Sequence, residues 1–547
     1  MSASRFLAVA GFVLFASAAA AQPSAEMQRS AEHVKAHMGF LASDLLEGRE
    51  AGSRGFDIAA EYVASQFRQL GLTPAGDRGS YFQRVPLYAY RAADEGTFIL
   101  RAAGRATPLV FGEDYLPSRD PLATETRAAA PMVFVGYGVV APAHGRDDYA
   151  GLDVRGKIVV ALDGAPRAFQ TEERAYYSSS RNKRVEAAKR GAVGFVQVTT
   201  PMDEKLRPFA NSVKRWKSWS MTWRDPLDQP FVVAPSTPTL ANVSLKGAAK
   251  LFAGAPVSLD KVWAAAEAKA GNPPRFPLPA SLEAAFRTEG RTVESRNVAG
   301  LIEGSDPTLK AQTVVLSAHL DHTGLVEGGT GDVINNGALD NAAGVATTLE
   351  VARTFVQSGQ RPKRSVLFLA VTGEEKGLLG AEYFARNPTV PLEDIVADVD
   401  LDMPLLTYDF TDVVAFGADR SGIGAAVKRA AGRMGVALSP DPMPDEGLFT
   451  RSDHYRFVEV GVPAVFLMTG FQNGGEQQFK DFLAKRYHRP GDDLSQPIDY
   501  LAGAKFARLN YEITRELTDT PARPTWNAGD FFGEKYGKVA AERAAAH

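Results

Sequence analysis

From Asn297 onward the chain alternates short apolar runs with amphipathic stretches, and this alternation limits its fold more than any other feature. Segments 314–318, 365–371, 396–401, 413–416 and 464–468 read as buried strands, and segments 341–356, 378–386, 423–434 and 500–517 as helices. Strands that are apolar on both faces need helices over both. The predicted class is therefore α/β, a mixed sheet sandwiched by helices. Residues 57–70 show helical spacing and stop at Gly71, as a helix C-terminus would. Between about 120 and 270 the pattern changes to short β-branched runs (132–135, 157–162), loops and one helix at 183–190. This predicts a β-rich insertion, with the Gly/Pro-rich stretch 271–279 as its return linker. The expected division is 1–21 leader, 22–120 first part of the α/β domain, 121–275 insertion, 276–520 main domain and 521–547 tail, loosely attached beyond Pro524.

The first residues combine Arg5, an apolar run over 6–16 and small residues at 19–21, the pattern of a leader cleaved near Ala21. That run is shorter than the roughly 20 residues of a spanning helix, so the expectation is secretion or a periplasmic location without a stable membrane anchor. There is no cysteine. Disulfides, thiol nucleophiles and thiolate metal sites are thereby excluded, and any metal must be held by imidazole and carboxylate. Lys plus Arg is 61 against 64 Asp plus Glu. So even a balance gives no global field for a nucleic acid or an anionic surface.

Acid and imidazole side chains recur where strands end. His319 closes an apolar strand and is followed by Leu320, Asp321 and His322. Strand alternation puts His319 and Asp321 on one side, where the Asp321 carboxylate can accept the imidazole N–H and fix its tautomer, and turns His322 away to a structural place. Asp340 precedes a helix and reads either as its N-cap or as a metal ligand. Glu374 and Glu375 follow a strand of seven apolar residues. They read either as a solvated helix start or as a pair in which one binds metal and the other takes a proton from water. Asp400 and Asp402 end another strand, and His488 lies in a loop. Three carboxylates, Asp340, Glu375 and Asp402, carry three negative charges. Two Zn²⁺ and one bridging hydroxide balance them, whereas a single tetrahedral ion has too few positions for the ligands.

These segments resemble the co-catalytic dizinc family of bacterial aminopeptidases and glutamate-carboxypeptidase-like enzymes. The resemblance rests on AHLDH at 318–322, GALDNAAG at 337–344, TGEEKGLLG at 372–380, DLDM at 400–403, RSDHYRF at 451–457 and YHRPGDD at 487–493, with ASDLLEGREAGSRG at 42–55. It implies the zinc aminopeptidase fold, with His319 and Asp402 on one zinc, Glu375 and His488 on the other, and Asp340 bridging. It further implies Glu374 as general base, Asp321 as the partner of His319, Tyr487 as a donor to the oxyanion, and a cis peptide after Asp340. Two departures stand out: a long Gly-rich loop at 324–332, and Asp400 where many members carry Asn. Segments 133–164 and 183–198 resemble a protease-associated domain.

The implied activity is a zinc aminopeptidase acting on peptides with a free N-terminus through a dizinc-bridged hydroxide. A carboxypeptidase or dipeptidase is the alternative, with Arg451 as a candidate reader of a free carboxylate. A single-zinc glutaminyl cyclase and a non-catalytic, receptor-like binding protein are further alternatives. The sequence GYGVVA at 136–141 imitates a dinucleotide fingerprint, but Pro142, Gly145 and Gly151 deny it the helix that such a site needs. Trp216, Trp219 and Trp223 read as the packing of a local loop in preference to a lid or docking surface.

Overall fold

A computed structural model describes residues 23–537, so the leader expected over 1–21 lies outside the described residues. No helix among the described residues is long and apolar enough to cross a membrane.

The main sheet is built on four parallel neighbours. Ser365–Val371 pairs with Thr313–His319, which pairs with Ile395–Leu401, which pairs with Ala464–Thr469. All four are buried along their whole length, as both-face coverage requires. Asp412–Phe416 extends the sheet antiparallel to Ala464–Thr469, and Phe276–Ile302 extends it on the other side, antiparallel to Ser365–Val371. The sheet is therefore mixed, and helices flank it. Each of the expected strands and helices of the main domain is present within a residue or two at its ends. Ala343–Gln357 and Tyr500–Asp519 pack against the central strands, the second started by Asp499, whose carboxylate accepts the amides of Leu501 and Ala502.

The strand Phe276–Ile302 corrects the expected linker. It is 27 residues long, and its first part pairs with Thr97–Ala102 and Glu125–Phe134 in a second sheet. Its later part pairs with Phe82–Ala92 and then with Ser365–Val371 in the main sheet. Residues 276–279 are thus strand, not linker. Pro277 and Pro279 made them look like a loop, but both sit on exposed positions beside a register shift, where a missing N–H is tolerated.

The second sheet also departs from the expected 121–275 boundaries. It takes in Thr97–Ala102 and Tyr115–Pro117, which precede residue 121, beside Glu125–Phe134, Ile158–Leu162, Gly194–Val198 and Thr239–Val243. Conversely Ser220–Trp223, inside those boundaries, joins the main sheet by pairing with Leu87 to Tyr90. The three tryptophans face different surroundings. Trp216 packs edge-on against Phe111, Trp219 lies between Arg91 and Arg291, and Trp223 is buried on Phe231.

Beyond Pro524 the chain is docked, contrary to the expected loose tail, as far as residue 537. Trp526 donates its indole N–H to the Gly461 carbonyl at 2.9 Å, and Phe532 is fully buried between Phe449, Tyr455 and Tyr176. A polar, Ala-rich composition concealed this because four aromatic rings and one ion pair, Arg420–Asp530, provide the attachment.

Candidate metal centre

The carboxyl ends of the parallel strands bring the predicted residues together, where open α/β sheets place their sites. His319 ends its strand, Glu374 and Glu375 follow Val371, and Asp402 follows Leu401. Asp340 arrives on the loop before Ala343–Gln357, and its peptide to Asn341 is cis, as the resemblance implies. Asp340 does not cap that helix. His488 comes from the loop after Gly475–Lys485 and holds a left-handed backbone at φ 53°.

Two groups form around Asp340. His319 Nε2 lies 3.3 Å from Asp340 Oδ1 and 3.1 Å from Asp402 Oδ1. On the other side of the same carboxylate, His488 Nε2 lies 3.3 Å from Asp340 Oδ2 and 3.0 Å from Glu375 Oε2. His322 joins this second group, with Nδ1 2.6 Å from Glu375 Oε1 and 4.0 Å from Asp340 Oδ2. The reading of His322 as turned away is therefore corrected. The strand stops at His319, so alternation no longer governs residue 322.

The donors fit a cation better than they fit each other. His319 Nδ1–H donates to the Asp321 carbonyl at 3.1 Å, so Nε2, 3.1 Å from Asp402 Oδ1, is the nitrogen that faces the carboxylates and would exchange its proton for a cation. Glu375 Oε1 and His322 Nδ1 approach to 2.6 Å yet are too poorly aligned to hydrogen-bond, and Asp340 Oδ2 is likewise buried without a hydrogen-bond partner. Ligands about 2.0–2.2 Å from a tetrahedral zinc are about 3.3–3.6 Å apart, close to the 3.0–3.3 Å separations around His319 and His488. Two clusters could each surround an ion, His319 with Asp340 and Asp402, and His322 with Asp340 and Glu375; His488 lies beside the second, and Asp340 is common to the two.

The electrostatics follow from burial against these neighbours. Burial opposes the charge on His319, yet Asp402 and Asp340 hold its imidazolium well above the usual range. Burial also opposes the Asp340 carboxylate, but His319 and His488 bring it well below the usual range. Glu374 goes the other way: burial, with Glu375 and Asp402 nearby, pushes it well above. Burial and the Asp402 charge push Asp400 up to about 7. Burial raises the Tyr487 phenol, helped by Asp340 and Glu375, and its ring lies 3.8 Å from that of His488.

The supporting residues differ in part from expectation. The Asp321 carboxylate does not meet the His319 ring; it accepts the amide of Glu374 at 3.1 Å, and the backbone carbonyl of Asp321 holds the imidazole. Backbone acceptors leave no mark in a sequence. Asp492, part of the 487–493 segment but assigned no role from it, is fully buried and accepts the amides of Leu339 and Asp340, both at 3.0 Å, and Gln496 Nε2 at 2.7 Å. Ser452 sits between Asp400 Oδ2 at 2.6 Å and Asp402 Oδ2 at 2.8 Å, so its single proton is shared between them. Arg49, from the 42–55 stretch, is buried and donates to the carbonyls of Leu320 (3.0 Å), Asn336 (2.5 Å), Gly337 (3.1 Å) and Leu41. It ties together the two loops that carry His322 and Asp340. Gly337 allows that approach: at φ 59° a Cβ would lie 2.2 Å from the Asp340 carbonyl oxygen and 2.6 Å from the His322 ring.

Comparison with known proteins bears on the same stretch of the chain. A family model described as Peptidase family M28 matches residues 297–514, which span every residue of the two groups. Residues 297–514 belong to peptidase family M28. Curated relatives named probable zinc metalloprotease include one from Pyrenophora tritici-repentis, 26% identical over 219 residues, covering 35% of this chain and 50% of the relative. Another, from Pyricularia oryzae, is 26% identical over 268 residues, covering 42% of this chain and 51% of the relative. The chain thus spans about half the length of the curated relatives it matches. Among solved structures, the aminopeptidase from Aneurinibacillus sp. strain AM-1 superposes with a TM-score of 0.52 at 19% identity, over 91% of this chain and 96% of that one. The fold is therefore shared along nearly the whole of this chain, inserted sheet included. The family and these relatives place residues 297–514 among metallopeptidase hydrolases.

Proposed function

We propose that this M28 chain is an exported zinc aminopeptidase that releases N-terminal residues from peptides. The observation that carries the proposal is the pair of carboxylate–imidazole groups sharing Asp340, with Glu374 beside both. His319, Asp340 and Asp402 would hold one zinc. Asp340, Glu375 and His488 would hold the other, with His322 as a further donor beside Glu375. Two zincs in these positions, when bound, would lower the pKa of a water and polarise the scissile carbonyl.

Glu374 takes the proton of the attacking water and returns it to the leaving amine. The amide of Glu374, bound by the Asp321 carboxylate, keeps the base at a fixed height over the site. Tyr487 donates from its phenol to the carbonyl oxygen as negative charge develops there, and its raised pKa keeps that proton in place. The surrounding carboxylates attract the α-ammonium of a free N-terminus, which favours an aminopeptidase. The inserted sheet acts as a protease-associated domain, and residues 1–21 direct export.

Arg451 supports a second reading, a carboxypeptidase or dipeptidase. It lines a cavity of about 580 Å³ between the inserted unit and residues 444–451, and its own acidic partner, Glu446, is only loosely engaged at 3.4 Å. A panel of amino-acid amides, N-acylated peptides and C-terminally amidated peptides separates the two, assayed with and without a chelator beside metal analysis of the purified chain. Hydrolysis that needs a free amine, two zincs per chain and loss with chelator is the expected outcome. Cleavage of N-acylated but not C-amidated peptides would replace the aminopeptidase reading, and a single zinc would point to a cyclase.

A further inference from the structure

A second cavity of about 320 Å³ lies between the inserted unit and the loop after Glu375, with Tyr90, Arg119, Arg181, Arg184, Lys376 and Glu382 in its wall. Four cations and a single carboxylate among these residues make it strongly positive. Two of the cations have acidic partners. Lys376 Nζ is 2.7 Å from Glu50, and Arg181 grips Glu382 with contacts of 2.5 and 3.2 Å.

The other two do not. Arg119 donates to neutral acceptors, Ser220 Oγ and the Trp216 carbonyl, both at 2.7 Å, and its Nε is buried without a partner. Arg184, on the helix Ser180–Lys189, has no ion pair or hydrogen bond to any described residue, and its Nε is also buried and unsatisfied. The acids within reach are engaged elsewhere. Asp120 accepts from the Leu122 amide and the Thr126 hydroxyl, and Glu382 also binds Arg386.

A guanidinium cannot escape burial by losing its proton. An unpaired one held in a protein wall is therefore a standing demand for an anion. Two planar forks, with a tyrosine hydroxyl that burial keeps protonated, match the oxygens of a carboxylate better than they match a spherical ion.

We propose that this cavity is a carboxylate-binding site, with Arg119 and Arg184 as its clamp. The carboxylate comes from an acidic peptide or from a free small dicarboxylic acid. Arg184 belongs to the inserted unit, whereas Lys376 and Gly377 directly follow Glu375. A bound carboxylate therefore ties the insertion to the loop that carries Glu374 and Glu375. Binding itself requires no turnover, so it is tested separately from the peptidase reading.

The test is thermal unfolding and calorimetry of the full, zinc-loaded chain at constant ionic strength, with glutarate as probe and glutaramide as the neutral control. Glutarate should raise Tm saturably at millimolar concentration, and glutaramide should not. Arg184→Met should weaken the response by about tenfold or more, and ligand-free it should melt no lower than the wild type, since an unpaired charge has been removed. Arg119→Gln serves as the second variant if Arg184→Met does not fold. No saturable shift in the wild type, an equal shift in both variants, or a ligand-free Arg184→Met that melts well below the wild type would overturn the proposal. A stronger response to inorganic phosphate than to glutarate would overturn the carboxylate assignment. Rates then identify the source. A KM lowered by an acidic residue in the peptide, and restored by Arg184→Met, assigns the site to substrate; a change in turnover of neutral peptides by free glutarate assigns it to a small acid.

Discussion

Asp492→Asn tests how far the centre depends on a residue that touches no candidate metal position directly. The Asp492 carboxylate accepts from the amides of Leu339 and Asp340 and from Gln496, and it is fully buried. An asparagine offers one oxygen in place of two. Its NH₂ must face either the Asp340 N–H or the Gln496 NH₂, so one buried donor loses its acceptor, which costs about 1–3 kcal/mol. The remaining bonds also lose their charge assistance. For a domain of this size each kcal/mol lowers Tm by about 2–4 °C, so a fall of about 2–12 °C is expected. The larger effect is on the metal. Freed from Asp492, the Asp340 backbone no longer fixes the carboxylate shared by the two groups, and loss of such outer support lowers metal affinity about 10–100-fold. Zinc affinity is read by competition with a chromophoric chelator, and kcat/KM is read across zinc concentrations. Activity should recover as zinc is raised. Asp493→Asn is the control, because among the described residues the Asp493 carboxylate accepts only from Ser495. Unchanged zinc affinity in Asp492→Asn, with the fold intact, would refute the reasoning.

Glu374→Gln should keep its full metal content and lose about 10²–10⁴-fold in kcat; metal analysis beside steady-state kinetics checks both, and near-normal turnover would remove Glu374 from its role. Arg49→Met strips four buried carbonyls of a charged donor and should cost at least ~3 kcal/mol, with weaker zinc binding, seen as a lower denaturant midpoint. An unchanged midpoint would mean that water or a neighbour replaces the guanidinium. Phe532→Ala removes a fully buried ring between the C-terminal segment and the inserted unit and should cost about 3–5 kcal/mol; limited proteolysis should then release the residues after Pro524, and resistance equal to the wild type would contradict the packing described.

Much of the centre was legible because its chemistry demands particular residue types at the ends of buried strands. Three imidazoles and three carboxylates form the two groups, and of these only His322 was assigned elsewhere. It was missed because alternation was carried three residues past the end of the strand. The partners that orient those side chains were less legible. The carbonyl of Asp321 that fixes His319, the carbonyls under Arg49 and the amides on Asp492 are backbone groups, which every residue possesses and no sequence marks.

The same division holds for the fold. Apolar periodicity determined the strands and helices of the main domain, since a segment buried on both faces must be apolar along its length. Sheet membership was another matter. Which sheet Thr97–Ala102 or Ser220–Trp223 joins, that one strand of 27 residues serves both sheets, and that Phe532 docks between Tyr176 and Phe449, depend on partners far away in the chain. Such pairings arise from contact between distant segments, and only the tertiary structure decides them.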